Sequence, residues 1–141
     1  MNNIEYGRSR QGCSNPDRKC GRFVVPGATI SCKDRGFWHW KGFAPEERSP
    51  VVNISRTGLA FLTDSPPKTN RVILLFSFSE KEEPISLEGR VVYSLPRGNG
   101  LAYRYRVGVE FSPFSARKGH NSLVSLGVLE YLEKTHGAGN T

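Results

Sequence analysis

Two stretches of alternating residues constrain this chain more than anything else in it. Ile85, Leu87, Gly89, Val91 and Tyr93 alternate with Ser86, Glu88, Arg90, Val92 and Ser94. Tyr103, Tyr105, Val107, Val109 and Phe111 alternate with Arg104, Arg106, Gly108 and Glu110. A period of two sends every second side chain to the same side, so each stretch reads as a strand with one face inward. Val72–Phe78, apolar apart from Ser77, is a run of strand length. Val51–Leu62 reads as two short strands around a polar turn. Phe23–Val25 and Ala28–Cys32 read as one strand interrupted at Pro26-Gly27. The segment from Arg35 to Pro50 holds Phe37-Trp38-His39-Trp40 and Phe43, and reads as a strand or an elaborated aromatic loop.

The end of the chain changes period. Leu123, Leu126, Val128, Leu129 and Leu132 recur at helical spacing, Asn121-Ser122 offers a cap, and Gly137 offers a stop. No helical pattern separates the strands, which argues against parallel crossovers. The expected fold is all-β with a terminal helix: a small six-stranded antiparallel β-barrel whose C-terminal α-helix covers one open end.

A chain of 141 residues fits one domain, and an apolar share of 37% leaves part of it outside the core. Residues 1–22 carry Arg8, Arg10, Arg18, Lys19 and Arg22 against Glu5 and Asp17, with few apolar residues among them. The sequence therefore predicts a flexible N-terminal arm at 1–15, a barrel domain with its helix at 16–135, and a disordered tail at 136–141. No apolar run approaches the roughly 20 residues of a membrane helix, and the first 20 residues lack an apolar signal core. A cytoplasmic protein without membrane insertion is the expectation.

The net charge of +7 suits an anionic partner, or simply a basic, soluble surface. Cys13, Cys20 and Cys32 are an odd set; with His39 they leave gaps of six, eleven and six residues, unlike a zinc site. Reduced thiols are expected, with no metal and no cofactor. His120 and His136 flank the terminal helix as cap or surface residues. No nucleophile elbow, phosphate loop or zinc-protease helix occurs, so the chain is not expected to be an enzyme.

Two short patterns remain. Arg18-Lys19-Cys20-Gly21-Arg22 places two arginines four apart, a spacing expected about once by chance in a chain this rich in arginine. Asn53-Ile54-Ser55-Arg56-Thr57-Gly58 reads N-x-S-x-x-G at a strand–turn–strand junction, a pattern arising by chance about one time in ten. Together, in this order and about thirty residues apart, they carry far more weight than either alone.

On these residues the sequence resembles the PilZ family, bacterial domains that bind cyclic di-GMP. The family signature is R-x-x-x-R ahead of a barrel, then D/N-x-S-x-x-G on its surface. Gly89-Arg90-Val91-Val92, the segment Tyr105–Phe111 and the terminal helix look like later family segments. The resemblance covers roughly residues 16–135 and implies a six-stranded barrel. It implies a cyclic di-GMP site at Arg18, Arg22, Asn53, Ser55 and Gly58. Asp17 stands where many members carry a second basic residue, and that position bears on how many ligand molecules bind.

The residue chemistry suits such a ligand. Arginine's planar fork matches phosphate oxygens, and also guanine O6 and N7. Asn53 can accept from a guanine amine and donate with its own NH2, and Ser55 can do both. Gly58 permits a tight turn or a close ligand approach. Plainer roles are also open: a solvated basic arm for Arg18 and Arg22, self-bonded turn side chains for Asn53 and Ser55, and a simple turn glycine at Gly58.

The functional expectation is a receptor that changes conformation on binding cyclic di-GMP and signals through an unidentified protein partner. One alternative is a PilZ-like interaction module that does not bind the nucleotide. Another is a basic barrel binding single-stranded nucleic acid through its charge and the Trp38/Trp40 region. Nucleic acid is not the favoured partner, and the sequence does not fix the oligomeric state. The aromatic cluster reads as packing or self-association, or as a partner contact.

Overall fold

The alternating stretches become strands. The structure, a computed structural model, describes residues 21–34 and 48–137. Its elements are β1 (Thr29–Asp34), β2 (Ser49–Ile54), β3 (Gly58–Thr63), β4 (Arg71–Ser77), β5 (Ile85–Pro96), β6 (Tyr105–Phe111) and α1 (Leu123–His136). The strands close into a barrel in the order β1-β2-β3-β6-β5-β4, with every neighbouring pair antiparallel. The expected six-stranded barrel with a C-terminal helix is the fold observed.

The inward rows fill the interior. Ile30, Ile54, Leu59, Phe61, Val72, Leu74, Phe76, Leu87 and Val107 are all buried. Burying each such large side chain fully contributes about 1.5–3 kcal/mol. Helix α1 lies over one barrel end, where Leu129 and Leu132 join the same apolar cluster as Phe23 and Val25. Ser122 caps the helix, its hydroxyl accepting from the Ser125 N–H at 3.0 Å. Lys134 and His136 in the last turn face the negative end of the helix dipole.

Several details differ from the sequence-based expectation, each for a physical reason. Asn121 does not cap the helix. It is buried, and its amide clamps β5 to the chain after β6: Oδ1 accepts from the Glu88 N–H at 2.8 Å, and Nδ2 donates to Glu88 O at 3.0 Å and Ser112 O at 2.9 Å. Gly137 ends the helix with extended backbone rather than a left-handed turn. The helix runs through His136, one residue into the expected tail. Tyr103 precedes β6, and β5 continues through Pro96 instead of stopping before it. Phe23 and Ile54 form a single bridge, closed by Phe23 N–H to Ile54 O and Ile54 N–H to Phe23 O, both 2.9 Å.

Two β-bulges matter most. The β2–β3 register shifts between Val51 and Asn53, and the β5–β6 register shifts between Val91 and Tyr93. A bulge inserts one residue and reverses the faces beyond it. Val51 therefore stands opposite inward Phe61, whereas Asn53 stands opposite Ala60 on the outer face. Val91 likewise pairs with inward Val109, whereas Tyr93 pairs with Gly108 and faces out. The unbroken alternation expected through Tyr93 fails at that point.

Candidate ligand-binding site

The site begins at the bridge. Gly21, with φ of +74°, turns the chain, and Phe23 is buried under α1 and bonded to Ile54. Arg22 lies between them with its side chain exposed. The bulge at Val52 turns Asn53 outward toward it. The result is a hydrogen bond from Arg22 Nη1 to Asn53 Oδ1 at 2.6 Å, spanning 31 residues of sequence. Two of the sequence-predicted residues, one from each motif, thus meet on the barrel surface.

This contact also settles how each group is presented. Guanidinium has only donors, so the asparagine must turn its oxygen to Arg22 and its NH2 away. One lone pair of Asn53 Oδ1, the expected acceptor, is thus engaged by Arg22, while its second lone pair and the NH2 donors stay available. Arg22 keeps most of its five N–H donors for another acceptor.

Ser55 and Gly58 behave differently. Ser55 is 2% exposed. Its hydroxyl accepts from the Thr57 N–H at 3.0 Å and lies 3.0 Å from Thr57 Oγ1, while the Ser55 N–H donates to Gly58 O at 2.8 Å. These are the bonds of its own turn. Gly58 does not have a positive φ. A Cβ there would stand 2.3 Å from Val109 O of the paired strand, so the backbone approach of β3 to β6 demands glycine. Arg18, Asp17 and the cluster Phe37, Trp38, His39 and Trp40 lie outside the described residues, as do Cys13 and Cys20.

Arg56, which sequence reasoning passed over, reaches from the second motif to the helix. Its Nε lies 3.0 Å from Glu133 Oε1 and its Nη1 3.7 Å from Glu130 Oε2. Such half-exposed pairs contribute at most about 1 kcal/mol, so their interest is positional. The Glu133 carboxylate also lies against Gly21, so helix, motif turn and chain entry converge at one point.

Register alone lays out the outer face. One row runs Asn53–Ala60–Gly108–Tyr93 across β2, β3, β6 and β5. The Tyr93 ring occupies the space that a side chain at Gly108 would need, and its hydroxyl accepts from Arg106 Nε at 3.1 Å. The next outward row runs Gly58–Glu110–Arg90–Arg71. The small residues Gly58, Ala60 and Gly108, all buried, lie in register between Asn53 on one side and Tyr93, Arg90 and Arg71 on the other.

The family model of the PilZ domain matches residues 17–126. The chain belongs to the PilZ family. The match takes in both motifs and all six strands. Neither among curated proteins nor among solved structures does anything match it. PilZ domains are binding modules for cyclic di-GMP rather than enzymes, and the outer face described above carries Arg22 and Asn53, one residue of each motif. Among the described residues no helix is long and apolar enough to cross a membrane. Cys32 is a free thiol in the PilZ barrel wall, pushed up to about 12 chiefly by burial and further by Asp34. Such a group stays protonated and unreactive near neutral pH.

Proposed function

We propose that this PilZ domain is a receptor for cyclic di-GMP that reports ligand binding to a protein partner in the cytoplasm. The observation that carries the reading is the 2.6 Å contact between Arg22 and Asn53. It joins the two motifs across 31 residues of sequence. Asn53 orients the guanidinium, and the remaining donors suit a phosphodiester or a guanine edge. Orienting Arg22 beforehand lowers the ordering cost of binding. Arg18 is assigned to the same ligand through its place in the first motif. Ser55 and Gly58 are assigned a supporting role, shaping the turn that presents Asn53.

Conformational change is assigned to the segment 17–22, ahead of the anchored Phe23, which ligand contacts would fix against the barrel. Trypsin tests this, because Arg18, Lys19 and Arg22 are all cleavage points. Saturating ligand slows cutting there and leaves Arg8 and Arg10 unprotected; equal rates at every site would remove the segment from the mechanism.

The test of the function itself is a calorimetric titration with cyclic di-GMP, with GTP and linear pGpG as controls. Selective binding of the cyclic dinucleotide, lost in Arg22→Ala, is the expected result. Absence of binding would overturn the proposal. A steep fall of affinity for single-stranded oligonucleotides with salt would favour the nucleic-acid reading instead.

A further inference from the structure

A cleft of about 340 Å³ opens beside the motif residues, lined by Arg71, Arg90, Glu110, Phe111, Ser112 and Pro113 along with Gly89. It lies at the small end of the range for ligand pockets, roughly 300–1,000 Å³. That is room for a purine base and not for a whole cyclic dinucleotide. Arg71 and Arg90 stand directly opposite each other on β4 and β5, and like charges so placed repel. Arg90 is relieved by its other neighbour, with Nη2 2.8 Å from Glu110 Oε1. Arg71 has no side-chain partner among the described residues and is exposed.

The donor and acceptor set fits one base better than the others. Guanine presents two acceptors, O6 and N7, on one edge, and N–H donors at N1 and N2 on the adjoining edge. An arginine fork matches the first edge and a carboxylate matches the second. Adenine offers an amine where guanine has O6, and would place a donor against a guanidinium. Phe111 and Pro113 supply an apolar wall. The asparagine clamp holds that wall in place, since Asn121 bonds both Glu88 and Ser112.

Position completes the argument. Glu110 is the register partner of Gly58, the last residue of the second motif. The cleft therefore lies on the same outer face as the Arg22–Asn53 pair, with Gly58 and Ala60 between them in register. We infer that this cleft is a guanine subsite, in which Arg71 and Arg90 bind O6 and N7 of one base while Glu110 accepts from N1–H and N2–H2. The phosphates and the second base remain with Arg22 and its neighbours. This inference rests on the proposed function and adds base specificity to it.

Calorimetry with cyclic di-GMP, cyclic di-AMP and the inosine analogue lacking N2 tests it, on the full chain. Wild type binds the guanine ligand best, and losing the amine costs affinity. Arg71→Ala weakens cyclic di-GMP by about tenfold, the size of one good arginine–base contact. Glu110→Ala weakens it similarly and shrinks the preference for guanine over inosine. Amide NMR spectra of both variants match wild type away from the cleft. If both variants bind all three ligands as wild type does, while Arg22→Ala has lost binding, the subsite is overturned and the receptor function stands. If wild type binds no cyclic di-GMP, both fall.

Discussion

Asn53 and Ser55 are two residues apart in one motif, yet they face opposite ways. Asn53 is turned outward by a bulge and holds an exposed arginine from a distant segment. Ser55 is turned inward, closed upon its own turn, with Gly58 wedged against the neighbouring strand. A short pattern can thus contain one residue that holds an arginine from a distant segment and two that build the turn presenting it. The same pattern in a sequence gives no hint of this division, because both jobs favour small polar residues and glycine at turns.

Substitutions can break or sharpen that contrast. The largest effect belongs to the outward half. Arg22→Ala costs about 2–4 kcal/mol of cyclic di-GMP affinity by calorimetry, through loss of a charged donor, with the melting temperature unchanged. Adding Asn53→Ala costs less than the sum of the two single changes, because Asn53 acts by orienting Arg22. Strict additivity would show that Asn53 meets the ligand independently.

The inward half shows the reverse profile. Gly58→Ala places a methyl group against Val109 O, and costs about 1–3 kcal/mol in urea unfolding. If its affinity collapses while its stability holds, Gly58 belongs with the ligand and the division fails. Ser55→Ala leaves the Thr57 N–H without its acceptor and costs about 1–2 kcal/mol of stability. Affinity per folded molecule falls only modestly.

The smallest effect comes from the barrel wall, away from both halves. Burial raises the Cys32 pKa from 9.0 to about 12, so the folded state favours the neutral thiol. Its contribution is complete below pH 9 and fades as pH rises toward 12, because the unfolded thiol ionises first. Wild type therefore loses stability more steeply above pH 9 than Cys32→Ala does, as read by urea midpoints at pH 8 and 10. Equal slopes would show that the thiol is not desolvated in solution.

Much of the barrel was legible because two strands carry their facing in their composition. Val107, Val109 and Phe111 could face only inward, and the helix announced itself through Leu129 and Leu132. The bulges were not legible. Nothing in Val51-Val52-Asn53 or Val91-Val92-Tyr93 marks which residue is extra, since that depends on the partner strand. The alternation rule therefore put Tyr93 on the wrong face. The site was legible as residue types and not as contacts. Arg71, Arg90 and Glu110 looked like ordinary outward charges until pairing aligned them in one row. Arg56 was hidden inside a motif position that tolerates any residue.

The two hydrogen bonds between Phe23 and Ile54 act as a fulcrum. On the barrel side of Phe23 the chain is anchored by these bonds and by a buried ring, so it cannot travel. Gly21, with its left-handed backbone, is the first joint on the other side. Arg22 therefore sits one residue from a fixed point and one residue from a backbone conformation that only glycine adopts without strain, and its reach toward Asn53 is set from both sides.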